Sequence, residues 1–318
     1  TLLLEYLVVA AREAGVGSLV AMVLPDNRRM LNVFHKAGFA AGSTFEDGVI
    51  EVKLSLDASE ASQEIIEERA RRAEARSVAR LLAPTSIAVI GAGRERGGLG
   101  HELFRNLLSR GFEGVVYPVN PSGGHVASVR AWPSVVQIPD EIDMAVLAVP
   151  AERTLEVVEQ CARKRVRGLV VTSAGFGPAS PSGADIAARV VEEARRWGMR
   201  VIGPESLGMI NTSPQVSMTA TYAPVEVREG AVGLLTQSGT LGVAALEVAR
   251  RKGVGISTFL DVGRKVDVSG NDVLQYWEED EATSVAALYL ESFGNPAKFV
   301  RIARRMGRTT PIVAVKAG

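Results

Sequence analysis

From residue 86 onward the chain repeats one pattern: a short, continuously apolar run, then a stretch with helical periodicity. Strands that are apolar throughout are buried on both faces. Alternation with helices puts those helices on the faces, so the pattern predicts parallel sheets. The runs fall at residues 86–90, 115–119, 144–149, 169–172 and 200–202, with helices at 99–110, 151–165 and 183–197. The same grammar returns at 231–235, 256–260, 285–290 and 312–315, with helices at 241–252, 272–278 and 296–306. The predicted class is α/β, with one parallel unit over residues 84–227 and a second over 228–318.

The first 83 residues read differently. Residues 1–14 are apolar at helical spacing, 18–24 are strand-like, 27–37 form a helix stopped by Gly38, and 49–54 alternate like a strand. This α+β piece, residues 1–56, is marginal as a fold on its own. It begins as a helix entered partway, so an N-terminal continuation is expected. Residues 57–83 read as a linker helix with a solvated charged face and with apolar contacts from Ile65, Ile66, Val78, Leu81 and Leu82. Glu67/Arg71 and Glu68/Arg72 stand at i,i+4 in the favourable order, and Pro84 ends the helix.

Charge and cysteine content narrow the function classes. Lys+Arg and Asp+Glu are both 36, so no basic footprint for nucleic acid or an anionic membrane is present. No apolar run approaches the ~20 residues of a membrane span. The single cysteine, Cys161, lies on a helix with no metal-ligand spacing around it, which fits packing and a cytoplasmic setting. No metal site is expected, and the oligomeric state is left open.

The loops after the strands are the search area, because ligands of open α/β sheets sit at the C-terminal strand ends. After residue 90 comes Gly91-Ala92-Gly93-Arg94-Glu95-Arg96-Gly97-Gly98-Leu99-Gly100, joining a strand to a helix. Small residues let backbone N–H groups approach an anion, and a helix N-terminus favours it. Arg94, Arg96 or His101 could pair with phosphate; a purely structural turn is the competing reading. A nicotinamide dinucleotide wants an acidic residue closing the second strand. Here that strand ends in Asn120-Pro121, which disfavours a dehydrogenase. The ends at Val149-Pro150, at Ala174-Gly175-Phe176-Gly177 and at Gly203-Pro204-Glu205-Ser206-Leu207-Gly208 are similarly small. Together they predict one crevice lined by backbone, suited to an extended nucleotide-bearing ligand.

In order, Gly91-Ala92-Gly93-Arg94, Tyr117-Pro118-Val119-Asn120-Pro121, Thr172-Ser173-Ala174-Gly175-Phe176 and Gly203-Pro204 with Leu207-Gly208 resemble the CoA-binding domain of NDP-forming acyl-CoA synthetases, relatives of the succinyl-CoA synthetase α subunit. The resemblance implies a Rossmann-like CoA-binding domain followed by a flavodoxin-like domain. It implies CoA or acyl-CoA contacts at Gly91, Gly93, Arg94, Asn120, Pro121, Val149, Pro150, Ala174 and Gly175. Glu205 departs from the pattern, which usually has Asn there.

Thr236-Gln237-Ser238-Gly239-Thr240-Leu241-Gly242 resembles the family's helix start facing a phosphohistidine, which implies phosphate contacts at Ser238, Gly239 and Thr240. A simple helix cap is the competing reading. Tyr289-Leu290-Glu291-Ser292 resembles the strand whose glutamate orients that histidine, so Glu291 is the implied catalytic acid. His35, His101 and His125 lie outside the histidine motif, which the resemblance puts shortly beyond Gly318. In a complete parent, acid, CoA and a nucleoside triphosphate would give acyl-CoA through acyl phosphate, with ATP or ADP held by an ATP-grasp domain or subunit. This fragment alone would not complete that cycle.

Asn27-Arg28-Arg29-Met30 and Lys36-Ala37-Gly38-Phe39 resemble the C-terminal half of a GNAT N-acetyltransferase, with a protein lysine as the implied acceptor. The expectation is therefore a GNAT end fused to an acyl-CoA ligase-like module. The alternative is a non-catalytic acyl-CoA sensor regulating the acetyltransferase.

Overall fold

The computed structural model describes residues 7, 10, 11, 14, 16–37, 40–46, 48–55, 60–177, 180 and 183–317. The chain divides into two units, Thr1–Ala73 and Glu74–Gly318.

In the first unit, β1 (Ser18–Val23), α1 (Arg28–Ala37), β2 (Ala40–Glu46) and β3 (Val49–Ser55) build an antiparallel sheet of order β1-β3-β2. The Asn27 side chain caps α1, its Oδ1 accepting from the Met30 N–H at 3.1 Å. Val23, Phe34, Val52 and Leu54 form the small core. Strand β2 is absent from the sequence reading, because Ala40-Ala41-Gly42-Ser43 has neither alternation nor β-branched residues; a register shift lies between Ala40 and Gly42. The expected helix at 1–14 and the Gly38 stop fall mainly outside the described residues.

Helix α2 (Glu60–Leu82) carries the expected Glu68–Arg72 ion pair at 2.6 Å, and Glu68 also meets Arg71 at 2.7 Å. The Glu67 side chain lies outside the described residues. From Glu74 on, the apolar contacts expected of Val78, Leu81 and Leu82 are made. Ala75, Val78, Leu81 and Leu82 are buried. Glu74 pairs with Lys298 at 2.6 Å, and Ser77 accepts from Arg200 at 2.6 Å. An apolar stripe at this end of the helix gains more from packing than from exposure.

The second unit opens with a five-stranded, wholly parallel sheet of order β10-β9-β8-β4-β5. Its strands are β4 (Ser86–Ile90), β5 (Val115–Val119), β8 (Met144–Leu147), β9 (Gly168–Val171) and β10 (Arg200–Ile202), with the short hairpin β6 (His125–Val126) and β7 (Val129–Arg130) between. Helices α3 (Leu99–Ser109), α4 (Ala151–Arg163) and α5 (Gly183–Arg196) cover it. β4, the first strand in sequence, lies inside the sheet. The connections leave it toward β5 on one side and β8 on the other, which makes its C-terminal end the switch point.

The second sheet has order β12-β11-β14-β13-β15-β16. The strands β13 (Glu229–Thr236), β14 (Ile256–Asp261), β15 (Val285–Leu290) and β16 (Ile312–Lys316) are parallel, with α6 (Gly239–Lys252), α7 (Gly270–Glu279) and α8 (Pro296–Met306) between them. β11 (Gly208–Asn211) and β12 (Met218–Thr221) run antiparallel at its edge. Residues placed before 228 thus contribute two strands to the second sheet, and that sheet is mixed rather than parallel. One apolar cluster continues from Ile87, Val89 and Leu103 to Met209, Leu260 and Trp277. Polar stitches follow the same line. Asn106 Nδ2 donates to the Thr221 carbonyl at 2.7 Å, and Arg200 meets Asp267 at 2.9 Å.

Candidate functional site

The Gly91 turn is built by close backbone approach. Gly91 has φ +93, and a Cβ there would stand 2.3 Å from the Ala148 carbonyl oxygen. Gly100 lets α3 descend onto the turn; its Cβ would stand 2.1 Å from the Gly91 oxygen. The Gly91 and Ala92 N–H groups donate to the Val119 carbonyl at 2.9 and 3.2 Å. Asn120 locks the other side. Its Nδ2 donates to the Ala92 carbonyl at 2.8 Å, and its Oδ1 accepts from the Ser122 N–H at 2.9 Å. An Asp here would set a second acceptor against Ala92, which explains in hydrogen-bond terms why the strand does not end in an acid.

Three predicted anion partners take different roles. His101 is buried, and its Nδ1, 2.9 Å from the Gly93 carbonyl, must be the donor in that contact. It braces the turn from behind. The exposed Arg94 guanidinium lies against Gly124, where a Cβ would come within 2.1 Å of it. Arg96 is exposed.

A cavity of about 390 Å³ opens at the switch point. Ile90, Gly91, Val119, Pro121, Ala148, Val149 and Pro150 from the three strand ends line it, with Arg153, Glu156, Val157 and Gln160 of α4. Four predicted residues therefore meet in one cavity: Gly91, Pro121, Val149 and Pro150. Gly93, Arg94 and Asn120 belong to the surrounding turns. The α4 wall was missed by sequence reasoning, because nothing in an amphipathic helix says which polar residue flanks its buried stripe. Gln160 is held there by Ser134, whose Oγ donates to its Oε1 at 2.7 Å.

Ala174 and Gly175 do not line this cavity. The Gly175 and Phe176 N–H groups donate to Glu205 Oε1 at 3.2 and 3.0 Å. Glu205 Oε2 stands 3.5 Å from Arg264. The residue that departs from the family pattern thus fills the loop with its own carboxylate, from a left-handed backbone of φ 61.

In the second sheet, Ser238 caps α6, its Oγ accepting from the Leu241 N–H at 3.4 Å. Gly239 and Thr240 form the first turn. Beneath it lies Asp261, 0% exposed, accepting from the Leu207 N–H at 2.6 Å and Thr236 Oγ1 at 3.2 Å. Burial raises its pKa above the ordinary carboxylate range against these hydrogen bonds. Glu291 is exposed at the end of β15. Gln237 Oε1 holds that end, accepting from the Glu291 and Ser292 N–H groups at 2.8 and 3.0 Å. Lys265 donates to the Ser292 carbonyl; burial lowers its pKa and the Glu291 charge opposes the shift. Gln237 was visible as a motif letter without a role. Among the described residues no group of three or more His, Cys, Asp or Glu could hold a metal ion, and no helix is long and apolar enough to cross a membrane.

Residues 85–212 match the family model described as "CoA binding domain", and residues 229–318 match "Succinyl-CoA ligase like flavodoxin domain". The chain carries these two domains in tandem. The CoA binding domain contains the Gly91 turn and the switch-point cavity; the flavodoxin domain contains Ser238 and Glu291. Over 239 residues the chain is 40% identical to acetate–CoA ligase [ADP-forming] I of Archaeoglobus fulgidus, covering 75% of this chain and 34% of that protein. It is 36% identical over 246 residues to acetate–CoA ligase [ADP-forming] I subunit alpha of Pyrococcus furiosus, covering 76% and 53%. The solved dinucleotide forming acetyl-coenzyme A synthetase 1 of Ca. Korarchaeum cryptofilum, in complex with phosphate and ADP, superposes with a TM-score of 0.71 at 34% identity, over 75% of this chain and 51% of that one. The expected pairing of a Rossmann-like and a flavodoxin-like domain is therefore correct. The chain spans between a third and about half of these relatives' lengths. Both matched domains lie after residue 84, outside the segment expected to be a GNAT end.

Proposed function

We propose that this chain binds CoA or an acyl-CoA thioester across the switch point of its first sheet, and serves as the α-type half of an NDP-forming acyl-CoA ligase. The switch-point cavity carries the reading. Its walls are apolar side chains and strand-end backbone, with Arg153, Glu156 and Gln160 of α4 on one side. An extended ligand with a flat base, a phosphate-bearing middle and an uncharged thiol arm fits such walls better than a dinucleotide whose second ribose needs an acid. Arg94, exposed on the adjoining turn, would supply charge for a phosphate.

In the whole protein, acid, CoA and nucleoside triphosphate would be interconverted with acyl-CoA, nucleoside diphosphate and phosphate. An ATP-grasp domain or subunit would hold the nucleotide. Here the first turn of α6 would face the transferred phosphoryl group, and Glu291, held by Gln237, would orient its histidine carrier. Positioning of this kind is most of what phosphoryl transfer asks of a protein. The first unit is proposed as the closing part of a GNAT acyltransferase with a protein lysine as acceptor, supported by the Asn27 cap ahead of Met30.

Calorimetric titration of the chain with CoA, acetyl-CoA and NADH tests the binding reading. Saturable CoA binding that is lost in Val149→Asp, which puts a carboxylate into the cavity, is expected. NADH binding without CoA binding overturns it.

A further inference from the structure

The Glu205 carboxylate sits among donors that an external oxyanion would choose. Two consecutive backbone N–H groups, from Gly175 and Phe176, converge on one oxygen at 3.2 and 3.0 Å. The Arg264 guanidinium faces the other oxygen at 3.5 Å. Paired main-chain amides with an arginine make a compact anion nest.

The frame of the nest is rigid. The Arg264 N–H donates to the Pro204 carbonyl at 2.9 Å, and the Glu205 N–H donates to the Ser173 carbonyl at 3.2 Å. A Cβ on Gly263 would stand 2.2 Å from the Pro204 oxygen, so the segments carrying Glu205 and Arg264 are in direct backbone contact. A Cβ on Gly177 would stand 3.3 Å from Arg264 and 3.8 Å from Glu205, so this loop passes close to both side chains. Glu205 reaches in from a left-handed backbone, a conformation that side-chain-bearing residues adopt at a cost and that marks functional positions. Both side chains remain about one third exposed, 31% for Glu205 and 36% for Arg264, so the carboxylate can leave toward solvent.

We propose that residues 175–176 and Arg264 form an oxyanion subsite, for a phosphate or a carboxylate, and that Glu205 is its resident competitor. An incoming anion replaces one carboxylate by another group of the same donor requirements, so the donors stay paired throughout. The subsite lies between a loop of the first sheet and a loop of the second. Its occupant therefore links the two domains: Glu205 does so in the free chain, and the external anion does so once bound. No CoA is needed for this exchange, and CoA titration remains a separate measurement.

The test is titration of inorganic phosphate, and separately of acetate, into the full chain and three variants. Glu205→Gly empties the nest and suits the left-handed backbone. Glu205→Gln keeps it filled with a neutral acceptor. The third variant combines Glu205→Gly with Arg264→Ala. Glu205→Gly should bind at least one of the two anions about tenfold more tightly than the unchanged chain. Glu205→Gln should fall between the unchanged chain and Glu205→Gly, because a neutral amide competes less strongly than a carboxylate, and adding Arg264→Ala to Glu205→Gly should cancel the gain. A gain with phosphate alone or acetate alone identifies the ligand class. Any anion site elsewhere is common to all four proteins and drops out of the comparison. Melting temperatures verify folding, with Glu205→Ala as the substitute where Glu205→Gly does not fold. Equal affinities in the emptied and unchanged chains, or a gain that survives loss of Arg264, overturn the proposal.

Discussion

Replacing Asn120 by Ala removes the side-chain hydrogen bond that fastens the second strand end to the Gly91 turn, and with it the local bond from the Ser122 N–H. Ala92 is 0% exposed, so its carbonyl loses the Asn120 Nδ2 donor with no access to water. A lost hydrogen bond costs about 1 kcal/mol, and a buried acceptor left unpaired costs about 1–3 kcal/mol. The Ser122 N–H is exposed and finds water, so it adds little. The sum is about 2–4 kcal/mol, which for a cooperative unit of roughly 150–250 residues lowers Tm by about 4–16 °C. Differential scanning calorimetry reads this directly, and CoA calorimetry on the same samples should show about a tenfold loss as the turn loosens. Asn120→Asp separates the hydrogen bond from the side-chain volume. Its ionised carboxylate faces the Ala92 oxygen acceptor to acceptor, so it should be no more stable than the Ala variant at neutral pH. On acidification it should recover, because the protonated acid can donate to that carbonyl. An Asn120→Ala chain that melts within about 1 °C of the unchanged protein would refute the claim that this side chain fastens the turn.

Gly100→Ala should abolish CoA binding and cost about 1–3 kcal/mol, because its Cβ would stand 2.1 Å from the Gly91 oxygen and α3 must retreat. Gly97→Ala is the control. It has φ +82 with nothing within 4 Å, so it pays only the left-handed penalty of about 1–2 kcal/mol and should retain CoA binding. Asp143 loses solvation on burial, but acceptance from the Thr85 hydroxyl and N–H and the charge of Arg167 outweigh this, so its pKa falls below the ordinary 3.8. A depressed acid stabilises the fold above its unfolded pKa and loses that contribution as pH falls through the folded one. Asp143→Asn should therefore melt lower than the unchanged chain at pH 6, with the gap closing below about pH 4 in pH-dependent melting curves; a gap that persists at acid pH contradicts the assignment.

What could be read from the sequence divides by the distance over which each feature is decided. The β4–α3 turn was legible because its constraints lie within ten residues: a left-handed Gly91 and a Gly100 that must touch it. The parallel strands were legible because burial on both faces writes itself into each run separately, as in the fully buried β4, β8 and β9. Strands β11 and β12 carry the same buried character, four residues each, but their place beside β14 is set by pairing across some 50 residues. The sequence reading named no strand there and placed both segments within the 84–227 unit. The candidate site follows the same rule. Val149 and Pro150 are strand-end residues and could be named; Gln160, which reaches the cavity from the far end of α4, could not. Glu205 stood out in the sequence only as a departure. Its meaning depends on N–H donors 29 and 30 residues before it and an arginine 59 residues after it, in different sheets. A carboxylate gathered in by such distant partners is held by the fold as a whole. For that reason the occupant of the nest bridges a loop of each sheet, a property no single motif can encode.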